Sequence, residues 1–167
     1  MGGCRVGSQL TVRRRTGLLL AIAAGVVAFD QATKAWALSA LRDGPVGLVG
    51  GVRFNLTFNT AGAFGLGGAF VPFLAVIALG LVIFMASSGA TTQRPALAVA
   101  VGLVLGGALG NLADRLFRGE RWLKGAVVDF VDLRVWPVFN VADAAITCGC
   151  VLLLWVGWRT RDDEEPA

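Results

Sequence analysis

The sequence predicts a membrane protein, mainly α-helical, in which four transmembrane helices form one bundle. Three observations carry this prediction. Of 167 residues, 56% are hydrophobic and 16% are charged, against roughly 25% charged in soluble domains; the mean hydropathy is +0.70. The apolar residues gather into four segments, each near the ~20 residues that cross a bilayer. The acidic and amide side chains inside or beside those segments fall at one end of the bundle when the chain is threaded back and forth. A chain of this length forms a single domain.

Residues 1–12 are polar and expected to be loose. Arg13, Arg14 and Arg15 precede an apolar run from Gly17 to Phe29 that Trp36, Ala37 and Leu38 extend, a first span over 17–38. A basic start, a short apolar core and small residues at Ala35–Ala37 also fit a cleaved secretory signal. Three further hydrophobic segments favour a retained helix carrying Asp30 and Lys34. Residues 39–68 form a mixed external loop: Gly44-Pro45 marks a turn, Val52–Phe58 alternates as a strand does, and FNTAGAFGLGG is a Gly-rich turn. A second span covers about 69–86 and a third 95–112. A polar stretch, Gly110 to Asp143, leads through a second external loop (113–140) with a strand-like AVVDFV into a fourth span over 141–158. An acidic tail occupies 161–167. The abundant Gly and Ala suit close helix contact in lipid.

Arginines before the first span put the N-terminus in the cytoplasm. Four spans then bring the C-terminus back to the same side, in agreement with Arg94, Arg159 and Arg161. Arg42, Arg53, Arg115, Arg118, Arg121, Lys124 and Arg134 fall outside, an excess that points to phospholipid headgroups or an anionic substrate. The net charge of +4 fits lipid contact and topology; no interleaving of aromatic and basic residues points to nucleic acid.

On this topology Asp30 and Lys34 lie at the outer end of the first span. Asn111, Asp114 and Arg115 lie at the outer end of the third, Asn140 and Asp143 at the outer start of the fourth, and Asn59 and Asp129 in the external loops. Carboxylates within or beside a span are costly and mark function. Each has a plain structural reading: Asp30 and Lys34, four apart, make a helix ion pair, Asp143 suits a helix start, and Asp114 and Arg115 serve as interfacial anchors. Their co-location argues for a shared site.

The chain has no histidine, which removes Ser-His-Asp and Cys-His machinery and imidazole-based zinc sites. Cys4, Cys148 and Cys150 form no metal or disulfide framework. No metal or cofactor is expected. Acid–base chemistry then falls to carboxylates. Asp129 in AVVDFV and Asp143 at a helix start, brought together in a partly desolvated pocket, would share a proton. One would activate water while the other polarises a carbonyl. Asp132, three residues beyond Asp129, points to the opposite strand face and reads as a solvated or structural carboxylate.

Gly110-Asn111-Leu112-Ala113-Asp114-Arg115, then Gly125 and Val128-Asp129-Phe130, then Phe139-Asn140-Val141-Ala142-Asp143, resemble the signature of the lipoprotein signal peptidases (type II signal peptidases). Asp30-Gln31 with Lys34 resembles that family's first-span motif. Asn59 followed by Gly62-Ala63-Phe64-Gly65 resembles its external-loop motif, with the glycine one place later than usual and no tyrosine before the Asn. The resemblance implies a four-helix bundle with a small β-sheet cradle on the extracytoplasmic side of a bacterial cell membrane. It implies cleavage of prolipoproteins before a diacylglyceryl-modified cysteine, and binding of the cyclic peptide inhibitor globomycin. It implies Asp129 and Asp143 as catalytic dyad, with Asn111, Arg115 and Asn140 around it, Asp114 holding the loop, and Asp30, Lys34 and Asn59 orienting substrate or supporting the cradle. A small four-span transporter or proton channel is the rival reading, and a membrane scaffold a further one. A transporter would hold its carboxylates near the bilayer midplane.

Overall fold

The computed structural model describes residues 3–60, 80, 94–119 and 125–162. Its elements are helix α1 (Gly3–Ala40), the short strand β1 (Val46–Gly47), a single 3₁₀ turn (Val49–Gly51), strand β2 (Arg53–Asn59), helix α2 (Pro95–Phe117), strand β3 (Val127–Asp132) and helix α3 (Val141–Asp162). Among the described residues three helical segments are long and apolar enough to cross a membrane: Thr16–Ala40, Pro95–Phe117 and Val141–Arg159. The expected second span at 69–86 lies outside the described residues apart from Gly80, as do residues 61–68, Arg121, Lys124 and most of the acidic tail.

Helix α1 starts at Gly3, within the stretch expected to be loose. No proline interrupts residues 3–40, so the helix of the first span continues N-terminally past the three arginines. Helix α2 opens with Pro95 in its first turn, where the missing N–H costs nothing. It runs five residues beyond the expected 112, to Phe117, and so carries Asp114 and Arg115 on helix rather than loop.

Among the described residues helix α2 is the central one. It packs along both α1 and α3, which touch each other far less. A buried cluster of Leu19, Ala23, Ala98, Val101, Val104 and Leu105 joins α1 to α2. Close approach depends on small residues: a Cβ on Gly106 would stand 2.6 Å from Val26 Cβ and 2.8 Å from the Ala23 carbonyl oxygen, both on α1. Replacing Gly106 by Leu is therefore expected to push α1 off α2. Overpacking of this kind costs about 1–3 kcal/mol, read as a lower unfolding temperature in detergent. Large apolar side chains stay exposed along the outer faces of α1 and α3, among them Leu20, Phe29, Leu154 and Trp158. In hydrocarbon that exposure carries no penalty.

The three strands form one antiparallel sheet in the order β1-β2-β3. The register pairs Arg53 with Asp132 and Thr57 with Asp129, with an irregularity between Phe54 and Thr57. Beyond β3 the chain turns at Arg134, whose φ is 64°. Phe139 then folds back onto the strand, accepting from the Val131 N–H at 2.8 Å and donating to the Val131 carbonyl at 3.1 Å. The sheet rests on the C-terminal end of α1. Trp36 meets Phe54 edge to face at 5.2 Å between ring centres, Phe130 lies 6.1 Å from Trp36, and Ala37, Leu41 and Phe130 are buried together. Such offset aromatic pairs add about 0.5–1.5 kcal/mol each beyond area burial. This seam brings Asp129, on β3, to the mouth of the helix bundle.

Candidate active site

The site is assembled where the end of α2 and the start of α3 meet β3 over the last turns of α1. Asn140, the residue after the Phe139 bridge to Val131, caps α3. Its Oδ1 accepts the Asp143 backbone N–H at 3.0 Å, and Asp143 Oδ2 accepts the Asn140 backbone N–H at 3.2 Å. This reciprocal pair is a capping box, built from the two polar residues of FNVAD. The next free N–H of the helix, at Ala142, goes to Asp30 Oδ1 at 3.0 Å. Two carboxylates and one amide thus satisfy the start of α3, where the helix dipole favours negative charge.

Lys34 is fully buried, as are Asp30, Asp114 and Asn140. Its ammonium lies 2.9 Å from Asp30 Oδ2 and 2.9 Å from Asp114 Oδ2, and it donates to Asn111 Oδ1 at 2.9 Å. Two carboxylates beside one ammonium compensate each other's desolvation, the condition for keeping charges buried. Asp30 also sits against the backbone of α2. A Cβ on Gly110 would lie 2.6 Å from Asp30 Oδ2, so the glycine of GNLADR is what lets α1 deliver its carboxylate to α3.

Asp114 holds the loop that follows. Its Oδ2 accepts the Val128 N–H at 3.2 Å, anchoring β3. Arg118 Nε reaches its Oδ1 at 2.6 Å. Gln31 Nε2 donates to the same oxygen at 3.2 Å and to the Gly110 carbonyl at 3.1 Å. Gly125 enters so closely that a Cβ there would collide with the Asp114 carbonyl oxygen. Its N–H bonds the Arg115 carbonyl at 3.1 Å, and its carbonyl accepts from the buried Arg115 side chain at 3.4 Å. Arg115 is near enough to Asp129 for the two charges to interact.

The two candidate catalytic carboxylates meet at Asn140. Asn140 Nδ2 donates to Asp129 Oδ1 at 2.7 Å, while the Asn140 backbone holds Asp143. Asn111 bridges the same region, donating from Nδ2 to Asp143 Oδ1 at 2.8 Å and accepting from Asn140 at 3.1 Å. Asn59, at the end of β2, hydrogen-bonds Asp129. Burial, and next the neighbouring Asp143 charge, push the Asp129 carboxyl up to about 6, against the opposing effect of its bonds to Asn59 and Asn140 and of Lys34. Among the described residues no group of three or more His, Cys, Asp or Glu side chains converges as metal ligands would.

This arrangement can be set beside known proteins. The family model described as signal peptidase (SPase) II matches residues 22–159. The chain belongs to the signal peptidase II family. It is 44% identical over 148 residues to the lipoprotein signal peptidase of Rhodococcus jostii (strain RHA1), covering 87% of this chain and 75% of that protein. To the lipoprotein signal peptidase of Mycobacterium avium (strain 104) it is 43% identical over 143 residues, covering 84% and 79%. A bacterial membrane enzyme solved by the in meso method at 2.3 Å superposes with a TM-score of 0.77 at 27% identity, covering 90% of this chain and 93% of that one. Membership makes the chain a membrane-embedded protease of lipoprotein processing. Every residue of the site described above falls inside the stretch that the signal peptidase II model matches.

The nine residues singled out from sequence (Asp30, Lys34, Asn59, Asn111, Asp114, Arg115, Asp129, Asn140 and Asp143) are all drawn into this one network. Two participants were missed. Gln31 is a hub between Asp30, Asp114 and Arg118; its place beside Asp30 in the first-span motif was the available signal. Arg118, expected among the external arginines that meet headgroups or an anionic substrate, pairs with Asp114, and the four-residue spacing on a helix was enough to suggest it. Of the two readings open for Asp132, solvated or structural, the structure shows the structural one: it is buried and takes Arg53 Nε at 2.6 Å and the Arg134 N–H at 2.8 Å. Those bonds, the Arg134 N–H first, hold it below the usual carboxylate range. The cross-strand pairing of Arg53 with Asp132 supplies the partner that removes it from water.

Proposed function

We propose that this lipoprotein signal peptidase is an aspartyl endopeptidase with Asp129 and Asp143 as its catalytic pair. The observation that carries the reading is the convergence of these two carboxylates, from a strand and a helix start, on the single residue Asn140. Like charges in a water-poor setting share one proton. The ionised member takes a proton from water as that water attacks the scissile carbonyl. The protonated member hydrogen-bonds the carbonyl oxygen and stabilises the charge developing there. Collapse of the tetrahedral intermediate returns a proton to the departing amine.

The substrate is a prolipoprotein cut before its diacylglyceryl-modified cysteine. Four spans, with the second at about 69–86, place both termini in the cytoplasm and the pair at the extracytoplasmic face of the cell membrane. The sheet then acts as a cradle over the signal peptide, and external arginines meet phospholipid headgroups. Globomycin would compete for the same cradle. The test is cleavage of a purified diacylglyceryl prolipoprotein by the full chain in detergent, with the product sequenced by mass spectrometry. A product beginning at the lipidated cysteine is expected; cleavage elsewhere, or equal cleavage of unmodified precursor, overturns the reading.

The pH profile is a second test. If the pair works singly protonated, loss of the Asp129 proton removes the acid. The value of kcat/KM should then fall as pH rises above about 6, approaching tenfold per unit. The bond from Asn59 holds the Asp129 carboxyl down, so Asn59→Ala should move this alkaline limb to higher pH. A limb that stays in place or moves down contradicts the assignment.

A further inference from the structure

Hydrogen-bond polarity within the network is set by groups that can only donate. An ammonium has three N–H donors and no acceptor. Lys34 directs one each to Asp30, Asp114 and Asn111 Oδ1, all at 2.9 Å. The third contact leaves Asn111 no choice of amide orientation. Its oxygen must face Lys34, so its Nδ2 must face Asp143, which it does at 2.8 Å. Asn140 is constrained in the same way by a backbone donor. Its Oδ1 accepts the Asp143 N–H, so its Nδ2 is turned to Asp129.

The consequences for the two carboxylates differ. Both oxygens of Asp143 accept N–H donors, Oδ1 from Asn111 and Oδ2 from the Asn140 backbone. It also sits in the first turn of α3, where the helix terminus favours an anion. The charged groups facing it from other elements are Lys34 and Asp30 of α1 and Asp129 of β3. Asp129 lies on strand β3 rather than in the first turn of a helix and is 2% exposed. Its partners are two neutral side-chain amides, Asn59 and Asn140, and the charges facing it are Asp143, Lys34 and Arg115.

We infer that Lys34 is a positioning residue that, through the locked amide of Asn111, keeps Asp143 as the ionised, water-activating member of the pair and leaves the shared proton on Asp129. This rests on the aspartyl reading above and divides its two roles. Lys34 touches neither substrate nor the reacting atoms; it acts through Asn111.

The experiment is a carboxyl ¹³C NMR titration of the full chain labelled at aspartate, in detergent micelles. The two resonances are assigned by their absence in Asp129→Asn and Asp143→Asn. In the unsubstituted protein the Asp129 resonance should move from the protonated to the ionised position with a midpoint of about 6, while that of Asp143 stays at the ionised position over the same range. The reverse assignment overturns the inference, yet leaves the aspartyl reading standing so long as either Asn variant stops cleavage. In Lys34→Gln the amide of Asn111 is free to turn over. The Asp143 resonance should then titrate, and kcat/KM should fall by about 10²-fold per folded molecule, the usual effect of a small misplacement. Asn111→Leu leaves both ion pairs of Lys34 in place and should give the same shift. If Asp143 stays ionised and the pH profile stays fixed in both variants, Lys34 only holds the fold and the inference fails. If Lys34→Gln does not fold, Asn111→Leu and the titration of the unsubstituted protein decide between the same outcomes.

Discussion

Asparagine at either Asp129 or Asp143 is expected to lower prolipoprotein cleavage by about 10²–10⁴-fold, the span over which a positioned acid or base contributes. The two substitutions should differ in their effect on stability. At Asp129 the amide oxygen can go on accepting from Asn140 Nδ2, so the fold should tolerate the change. At Asp143 both oxygens accept N–H donors, and an amide must point its NH₂ at one of them. Asp143→Asn should therefore also weaken the cap of α3, at a cost of about 1 kcal/mol. Cleavage of the lipid-modified precursor and thermal unfolding in the same detergent separate the two effects. Asp30→Ala and Lys34→Ala should harm cleavage less than either dyad change, because these side chains make no hydrogen bond to the pair itself and are linked to it by way of Ala142 and Asn111. Retention of full cleavage by both Asn variants would reject Asp129 and Asp143 as the catalytic pair.

The parts of this site that were legible in the sequence are those written in local spacing. Val52–Phe58 announced a strand by alternation, and the strand runs Arg53–Asn59. Asn140 and Asp143, three apart before an apolar run, spelled a helix start, and they form its capping box. Asp30 and Lys34, four apart, spelled an ion pair. What spacing could not show is that Lys34 serves a second carboxylate and an amide from a helix some eighty residues away. Nor could it show that Asp30 caps the start of α3. Those contacts exist because Gly106 and Gly110 let α1 and α2 approach, a tertiary fact with no periodic signature. Asp132 shows the same limit from the other side. Nothing local distinguishes it from a surface acid; only its register opposite Arg53 does.

Asp114 offers the sharpest test of that tertiary logic, because its two oxygens face four donors. Oδ1 takes Arg118 Nε and Gln31 Nε2, while Oδ2 takes Lys34 Nζ and the Val128 N–H. Truncation to alanine would leave Lys34 with one carboxylate, release Arg118, and orphan the Val128 N–H within the buried strand. Breaking a buried pair by removing one partner costs about 3–5 kcal/mol, an effect large enough to be seen as a much lower unfolding temperature. The less obvious expectation concerns asparagine. An amide has one accepting and one donating end, so in either orientation its NH₂ would confront two of these four donors. Asp114→Asn should therefore be nearly as damaging as Asp114→Ala, although it is almost the same shape and although the same exchange at Asp129 should be tolerated. Hydrogen exchange at the Val128 amide, measured beside thermal unfolding, reports whether β3 has come loose from α2. Wild-type unfolding and a protected Val128 amide in Asp114→Asn would show that Asp114 is not what ties the strand, and with it Asp129, to the bundle.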